Sequence, residues 1–305
     1  MVKIICDSAC DLTPELLEKY HISIIPCHVL LREKDYLDGI SIRPEDLFAF
    51  VEKEGVLPKT AAPSVEEITE VMNRELEAAT EIVVLSMSSK ISGTYNFMKL
   101  AAQETGKEER IRVIDSESLC TGFGVLAIEA ASMAMEGLGA DEIAASIENL
   151  KSRVEVSFVV DSLSYLEMGG RCTTVEALLG SSLRIHPLIH MDGGALHVKK
   201  KYMGSMDHCL QKYEKEVLRD LEGTDVDRIM LIASMPFDIP VMKKIYEDLE
   251  STGRFREIHR VTAGSLISSH CGPGAMAIMY LKKGDGHGGR TQTQSALRRE
   301  VPEEI

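Results

Sequence analysis

Short apolar segments alternate with amphipathic stretches along the first half of the sequence, and this alternation limits the possible fold more than any other feature. Apolar runs predict strands at residues 3–7, 22–31, 82–87, 111–115 and 156–160. Apolar residues at helical spacing predict helices at residues 12–20, 44–53, 64–79, 95–104, 124–137 and 140–151. Strands that alternate with helices are typical of a largely parallel sheet. We therefore predict an α/β fold.

The second half of the sequence has a different pattern, and we place a boundary near residue 160. Predicted strands at 184–191 and 195–201 flank Asp192-Gly193-Gly194, which indicates a β-hairpin. The elements predicted beyond it are helices at 205–221 and 239–251, strands at 228–234 and 257–261, and an apolar helix at 274–281. The predicted organisation is two α/β domains, at 1–160 and 161–282, followed by a disordered tail at 283–305 that has almost no apolar residues.

Charge and cysteine usage exclude several classes of partner. The formal net charge of -14 disfavours binding to nucleic acid and to anionic membranes, so an anionic ligand needs local donors. The sequence contains no apolar run long enough to span a membrane and no signal-peptide pattern. Seven cysteines without a Cys-x-x-Cys pair indicate buried, reduced thiols and a cytoplasmic protein. We expect no metal, because His186 and His190 lie in a strand context with Pro187 between them.

Residues with hydroxyl groups follow several predicted strands and lead into helices. They occur after the first, third and fourth strands, at residues 7–8, 86–94 and 115–116, and again in the turn at 59–64. Ligands of open α/β sheets bind outside the carboxyl ends of the strands, and the free N–H groups of a helix N-terminus favour anions. Any one of these hydroxyls is better explained by helix capping, but their number at one edge favours a ligand site.

A histidine precedes a glycine-rich turn near the end of the second predicted domain. His270 is followed closely by Gly272-Pro273-Gly274, which would open the predicted apolar helix at 274–281. A histidine at such a position can bind an anion together with the helix N-terminus. A core or capping histidine explains the sequence equally well, so both interpretations stay open.

Two other chemistries match parts of the sequence. Gly122 and Gly124 have the Gly-x-Gly-x-x-Ala spacing of dinucleotide-binding proteins, but several residues separate them from the preceding strand, which favours close helix packing. Ser92, activated by Lys90 or His270, gives the alternative of a small hydrolase or transferase. The sequence lacks the Gly-x-Ser-x-Gly motif of many serine hydrolases and the Walker loop of many nucleotide-binding enzymes.

Several motifs, taken in order, resemble those of the DegV family. Residues 6–12 resemble its opening Asp-Ser-x-x-Asp-Leu, residues 59–64 its Thr-Ser-x-Pro-Ser segment, and residues 88–95 its Ser-x-x-Leu-Ser-Gly-Thr-Tyr signature. Residues 166–171 resemble its Leu-x-x-Gly-Gly-Arg segment. The series is completed by Leu179-Gly180, Pro187-Leu188-Ile189 and residues 270–274. The resemblance extends over about residues 2–282.

This resemblance implies two α/β domains with a long-chain fatty acid held between them, without catalysis and without a cofactor. It implies that the carboxylate is held by Thr60, Ser92, Gly93, Thr94 and His270. Similar proteins of the bacterial fatty acid kinase system present the acyl chain to a kinase subunit, and the resemblance links Arg171 to that step. We expect a monomer whose apolar tunnel dominates affinity, because each buried CH₂ contributes about 0.8 kcal/mol.

The sequence departs from the family pattern at three positions. Met203 stands where an arginine is common, Ala61 replaces a serine, and His186 replaces a lysine. The residues assigned to the carboxylate are retained, whereas the surface assigned to a kinase differs. We therefore expect lipid binding, and we leave presentation to a kinase open.

Overall fold

The computed structural model describes residues 1–161, 163–170 and 185–283. The predicted residue Arg171, the Leu179-Gly180 pair and nearly all of the predicted tail lie outside the described residues. The β-strands are β1 (Val2–Asp7), β2 (Ser23–Ile25), β3 (His28–Leu31), β4 (Lys34–Leu37), β5 (Lys59–Ala61), β6 (Glu81–Ser86), β7 (Ile111–Asp115), β8 (Val154–Glu155), β9 (Ser157–Val159), β10 (Ile185–Asp192), β11 (Ala195–Met203), β12 (Arg228–Ala233), β13 (Glu257–Thr262) and β14 (Met276–Leu281). The α-helices are α1 (Pro14–Lys19), α2 (Pro44–Glu54), α3 (Val65–Ala78), α4 (Thr94–Glu104), α5 (Thr121–Met135), α6 (Ala140–Leu150), α7 (Leu163–Gly169), α8 (Met206–Asp220), α9 (Pro240–Ser251) and α10 (Ser265–Cys271).

The first sheet is parallel, with the strand order β2-β1-β6-β7. Side chains alternate across it: Ile5 of β1 belongs to the apolar cluster that includes α3 and α4, whereas Ile4 and Cys6 belong to the cluster that includes α5 and α6. Both faces are therefore covered by helices, as is usual for parallel strands joined by helical crossovers. The predicted α/β class and the parallel first sheet are confirmed.

The second sheet is mixed, with the strand order β11-β10-β9-β14-β12-β13. Strands β12 and β13 are parallel, and the other neighbours along this order are antiparallel. The predicted hairpin is confirmed: β10 and β11 pair from Asp192 and Ala195 outward, and Gly193 and Gly194 between them have positive φ angles. Helices α8 and α9 pack on one face of this sheet through an apolar cluster that includes Tyr213.

Helix α5 joins the two sheets, because it packs against both β1 and β14. Its close approach depends on two glycines. A Cβ atom at Gly122 would lie 2.5 Å from the Val156 side chain, and one at Gly124 would lie 2.8 Å from the Cys10 carbonyl oxygen. These glycines are therefore explained by helix packing, the interpretation that the sequence favoured over dinucleotide binding.

A third, antiparallel sheet has the strand order β4-β3-β5. The sequence predicted one strand at 22–31, whereas the structure has β2 in the first sheet and β3 in the third. Pro26 lies between them, and its ring lacks the N–H that a continuous ladder needs. This small sheet carries Thr60 on β5, and it borders the candidate site.

The apolar helix predicted at 274–281 is wrong, because β14 occupies this segment in the middle of the second sheet. The run Met276–Leu281 is apolar throughout, so periodicity cannot distinguish a buried helix from a strand with neighbours on both sides. Helix α10 lies before the Gly272-Pro273-Gly274 turn. His270 is consequently in the last turn of a helix and not at the start of one.

The strands of the first sheet all precede residue 116, whereas β8 and β9, which precede residue 161, pair within the second sheet. The division into domains at 160 and 161 stays a prediction. The described cysteines are free and buried, as the sequence predicted. Among the described residues, no helix has the length and apolar character that crossing a membrane requires.

Candidate ligand-binding site

A cavity with about 1020 Å³ of empty space, including its open mouth, lies between the first and second sheets. The first half of the chain contributes Met87 after β6 and Ser92 and Thr94 around the start of α4. The second half contributes Phe158 of β9 and Ile232 of β12.

Most side chains that line the cavity are apolar. They come from strands of the second sheet, from α7 and α10, and from loops of the first half: Met87, Ile91, Leu119, Phe158, Leu166, Leu196, Ile232, Leu266, Ile267, Met276 and Met279. Such a lining offers no hydrogen bonds to a polar ligand along most of its length. It is chemically suited to a hydrocarbon chain.

The floor of the cavity on the second sheet is made from neighbouring strands. Ala277 of β14 lies between Phe158 of β9 and Ile232 of β12 in the sheet register. The small side chain of Ala277 leaves a depression between the two larger ones. Ala275, which directly precedes β14, also lines the cavity.

Two of the predicted site residues meet at this cavity across the third sheet and α10. The Thr60 hydroxyl and His270 Nε2 are hydrogen-bonded at 2.8 Å, although the residues are 210 positions apart in the sequence. Both side chains line the cavity and are partly buried. A hydroxyl and an imidazole at one point provide two groups that can donate to a carboxylate.

The N-terminus of α4 provides the other predicted donors. The hydroxyls of Ser92 and Thr94 are 2.8 Å apart, and Thr94 N–H donates to Ser92 Oγ. Both residues line the cavity, whereas Gly93 between them is exposed, and a Cβ atom there would meet nothing within 4 Å. The first N–H groups of a helix have no partner within the helix and attract anions. The arrangement can therefore accept a carboxylate against backbone and hydroxyl donors.

The Asp-Ser motif at the end of β1 does not line the cavity, in contrast to the sequence expectation for strand ends. Asp7 is fully buried and accepts hydrogen bonds from the N–H groups of Ala9 and Met87. Ser8 donates to Asp38 Oδ2 at 2.8 Å. Asp7 thus holds the backbone of Met87, which lines the cavity, and Ser8 holds the Asp38 carboxylate, so both polar side chains bind protein groups.

The carboxylates behind the cavity have perturbed proton affinities. Burial raises the pKa of Asp7 to about 7. Burial, and then the charge of Asp38, raises the pKa of Asp11 well above its ordinary value, and burial also raises the pKa of Asp38. The sequence offered no signal for Asp38, because an aspartate before Gly39 is what an exposed turn would also show.

Comparisons with known proteins identify the family of this chain. A sequence model of the family described as "Uncharacterised protein, DegV family" matches residues 1–283. The chain belongs to the DegV family. A DegV domain-containing protein of Caldanaerobacter subterraneus subsp. tengcongensis is 29% identical to it, over 92% of this chain and 99% of the relative.

Solved structures of DegV proteins have the same fold. A fatty acid-binding DegV family protein from Thermus thermophilus is 27% identical, with a TM-score of 0.83 over 92% of this chain and 99% of that chain. DegV from Bacillus subtilis, described as a fatty acid binding protein, is 25% identical, with a TM-score of 0.81 and the same coverage. A stearic acid-binding protein from Eubacterium ventriosum is 26% identical, with a TM-score of 0.80 over 93% of this chain and 99% of that chain.

The Gly-Gly segment of the DegV motif at 166–171 has a structural reason. Gly169 ends α7 and lines the cavity beside His270, and a Cβ atom at Gly169 would lie 2.5 Å from His270 Nδ1. Only a glycine lets α7 approach the imidazole this closely. Sequence reasoning assigned the segment to Arg171 and missed this contact, which motif spacing alone does not reveal.

The turn after His270 is also explained by packing and not by anion binding at a helix start. Gly272 has a φ of 70°, and a Cβ atom there would lie 2.6 Å from the Tyr165 ring. Ser234 Oγ donates to the Gly272 carbonyl and accepts from Ala275 N–H. Ser234, which directly follows β12, thus fixes the turn that connects the end of α10 to the start of β14.

The hydrogen bonds that the structure records for Ser92 Oγ join it to Thr94, and His270 Nε2 is joined to Thr60. The described contacts therefore do not pair a serine nucleophile with this histidine, as a small hydrolase would require. Lys90 is exposed. Among the residues that the structure describes, no group of three or more His, Cys, Asp and Glu side chains has an arrangement suited to a metal ion.

Proposed function

We propose that this DegV protein binds one long-chain fatty acid in the cavity between its two larger sheets. The observation that carries the proposal is an apolar cavity whose polar groups include the Thr60–His270 pair and the start of α4. The fatty acid binding described for the Thermus thermophilus and Bacillus subtilis proteins, which share this fold, supports it.

The carboxylate is assigned to the hydroxyls of Thr60 and Ser92, to His270, and to the N–H groups at Gly93 and Thr94. These donors fix the orientation of the ligand. The tail supplies most of the affinity, since 16 carbons buried at about 0.8 kcal/mol per CH₂ contribute roughly ten kcal/mol before the costs of ordering. The protein acts in this scheme by holding the ligand and not by changing it.

Native mass spectrometry of the purified protein tests the proposal. We expect an added mass equal to that of a fatty acid of about 14 to 20 carbons, because a tail of this length buries enough apolar surface to supply most of the affinity. Delipidated protein should bind palmitic or oleic acid at one equivalent. A protein that is purified empty and does not take up either acid would contradict the proposal.

We extend the proposal to presentation of the bound carboxylate to a kinase subunit. Gly93 is exposed at the carboxylate end, so a second protein can approach the head group there. The γ-phosphoryl group of ATP would be transferred to a carboxylate oxygen, which yields an acyl phosphate and ADP. The DegV resemblance links this step to Arg171, and Met203, which is 60% exposed at the end of β11, is the described residue that we assign to the kinase surface.

Hydroxylamine trapping tests the kinase step separately from lipid binding. The fatty acid-loaded protein is mixed with a bacterial fatty acid kinase subunit and Mg-ATP, and any acyl phosphate is converted to a hydroxamate. We expect hydroxamate only when all components are present. Lipid binding without hydroxamate would contradict the extension and leave the lipid-binding proposal intact.

A further inference from the structure

Helix α10 is held at both of its ends by the small third sheet. At the N-terminal end, Leu266 N–H donates to Asp38 Oδ1 at 3.1 Å. At the C-terminal end, His270 is hydrogen-bonded to Thr60. Asp38 directly follows β4 and Thr60 lies on β5, so both contacts come from one sheet.

Asp38 is itself fixed by several contacts. Its side chain is buried, and its second carboxylate oxygen accepts from the Ser8 hydroxyl at 2.8 Å. Ser8 Oγ also accepts from Cys27 N–H, and Asp38 N–H donates to the Cys27 carbonyl. A carboxylate held in this way defines where the first turn of α10 must lie.

The backbone before α10 comes so close to these acids that position 264 has no room for a side chain. A Cβ atom at Gly264 would lie 2.6 Å from Asp11 Oδ1 and 3.4 Å from Asp38 Oδ1. The φ angle of Gly264 is -63°, which any residue can adopt, so the restriction is contact with the acids and not backbone strain. A shift of the first turn would move the whole helix, because α10 has seven residues and is only about 10 Å long.

We propose that Asp38 is a positioning residue that sets the placement of α10 and thereby holds His270 at Thr60 for ligand binding. The inference rests on the proposed function for the identity of the ligand. It assigns no ligand contact to Asp38, which acts through the helix. The titratable groups near Asp38 and Asp11 include Asp7 and the thiols of Cys27, Cys120 and Cys271. The interaction that matters for the placement of α10 is the hydrogen bond that the Asp38 acceptor oxygen receives from Leu266 N–H.

Three variants separate placement of the helix from general damage to the fold. Asp38→Ala removes the acceptor for Leu266 N–H, whereas Asp38→Asn keeps an acceptor oxygen in the same place. Asp46→Ala is the matched control, because Asp46 accepts from Arg43 N–H at the start of α2 and is exposed. All three are compared with the wild type by circular dichroism before binding is measured.

We expect Asp38→Ala to weaken palmitic acid binding by about tenfold, of the order that losing a helix cap can produce. Asp38→Asn should remain within about twofold of the wild type. Gly264→Ala should weaken binding as Asp38→Ala does, because its methyl group displaces the same turn. Binding by Asp38→Ala at wild-type affinity, or an equal loss in Asp46→Ala, would overturn the proposal.

The ¹⁵N imidazole signals of ligand-free protein give a second measurement that does not depend on the fatty acid. The His270 signal is assigned by its loss in His270→Gln. We expect it to shift in Asp38→Ala and to keep its wild-type position in Asp38→Asn. An unchanged signal in Asp38→Ala would contradict positioning, whereas failure of the wild type to bind fatty acid would contradict the proposed function alone.

Discussion

At the scale of single residues, Thr60 offers the sharpest test of the carboxylate site. Thr60→Val keeps the volume and the β-branched shape of the side chain but removes the hydroxyl that meets His270. We expect fatty acid binding to weaken by about tenfold, since a hydrogen bond to a charged group contributes roughly 1.5–3 kcal/mol. Isothermal titration with palmitic acid measures the change.

Thr262→Val is the control for Thr60→Val, because Thr262 is an exposed threonine at the end of β13. Its affinity should equal that of the wild type. If both variants lose affinity equally, the Thr60 hydroxyl is not a ligand group.

Glu214 provides a residue-scale test of stability away from the cavity. It is 1% exposed on α8, and its two carboxylate oxygens have no hydrogen-bond partner among the described residues. Burial raises the pKa of Glu214 to about 7, above the unfolded value of about 4.3. The folded state therefore binds more protons between these values, and the stability contributed by Glu214 is lost as the pH rises from about 4 to about 7.

We expect Glu214→Gln to raise the free energy of unfolding at pH 8 by about 1–3 kcal/mol, because the amide cannot ionise in this site. The gain should shrink as the pH is lowered to 5. Urea denaturation at both pH values measures it, with the exposed Glu222→Gln as the control. A gain that is the same at both pH values would show that ionisation of Glu214 is not the cause.

The candidate site residues differ in how well the sequence could indicate them. Ser92 could be nominated because hydroxyls after strands are typical of ligand sites, and Thr60 because it lies in a segment that leads into a helix and resembles the DegV motif. The contacts of these residues could not be predicted from the sequence, because the hydrogen bond between Thr60 and His270 depends on the pairing of β3 with β5 and on the placement of α10. Asp38 lacked any local signal, because its partners Ser8 and Leu266 lie 30 and 228 positions away.

At the scale of elements, the contact between α7 and α10 depends on the absence of a side chain at Gly169. Gly169→Ala would be favourable in an isolated helix, but its methyl group would lie 2.5 Å from His270 Nδ1. We expect weaker fatty acid binding together with a folded protein, because the helix or the imidazole must move. The same titration measures it, and circular dichroism verifies the fold.

Gly139→Ala is the matched control for Gly169→Ala. Gly139 has a negative φ, and a Cβ atom there would make only an ordinary contact, at 3.6 Å from Glu142. Its affinity should match the wild type. Wild-type affinity in Gly169→Ala as well would mean that the close approach of α7 does not matter for the ligand.

The elements that the sequence predicted well are those whose pattern has one explanation. The amphipathic helix α3 begins with a capping box in which Ser64 and Glu67 bind each other's backbone N–H groups, and both signals are local. Strand β14 was predicted as a helix because its alanine and methionine residues favour helices and every position is apolar. What decides it is pairing with β9 and β12 on its two sides, which is tertiary information.

At the scale of the whole molecule, an ion cluster joins the two halves at the end of β12 that is opposite the cavity. Arg228 is 5% exposed and donates to Glu257 on β13, to Glu129 on α5, and to the Tyr20 hydroxyl after α1. At the other end of this strand, Ile232 and Ser234, which directly follows the strand, line the cavity. The ligand-binding geometry therefore depends on contacts between the halves at both ends of β12.

We expect Arg228→Met to lower the free energy of unfolding at pH 7 by about 3 kcal/mol, because it leaves carboxylates without their buried cationic partner. Burial raises the pKa of Glu257, but the hydrogen bonds from Arg228 and His259 outweigh burial and lower this pKa to about 2. The stability that ionised Glu257 contributes is therefore present above its unfolded pKa of about 4.3 and is lost as the pH falls through about 2. The loss of stability in Arg228→Met should consequently be smaller in acid than at pH 7. Urea denaturation at pH 7 and pH 3 measures both effects, with exposed Arg256→Met as the control that should change stability by less than about 0.5 kcal/mol.

Adding Glu257→Met to Arg228→Met should recover part of the loss, since one of the unpaired carboxylates is removed. Equal effects of the two arginine variants would mean that the cluster does not hold the halves together, and the cavity would then depend on apolar packing around α5 alone.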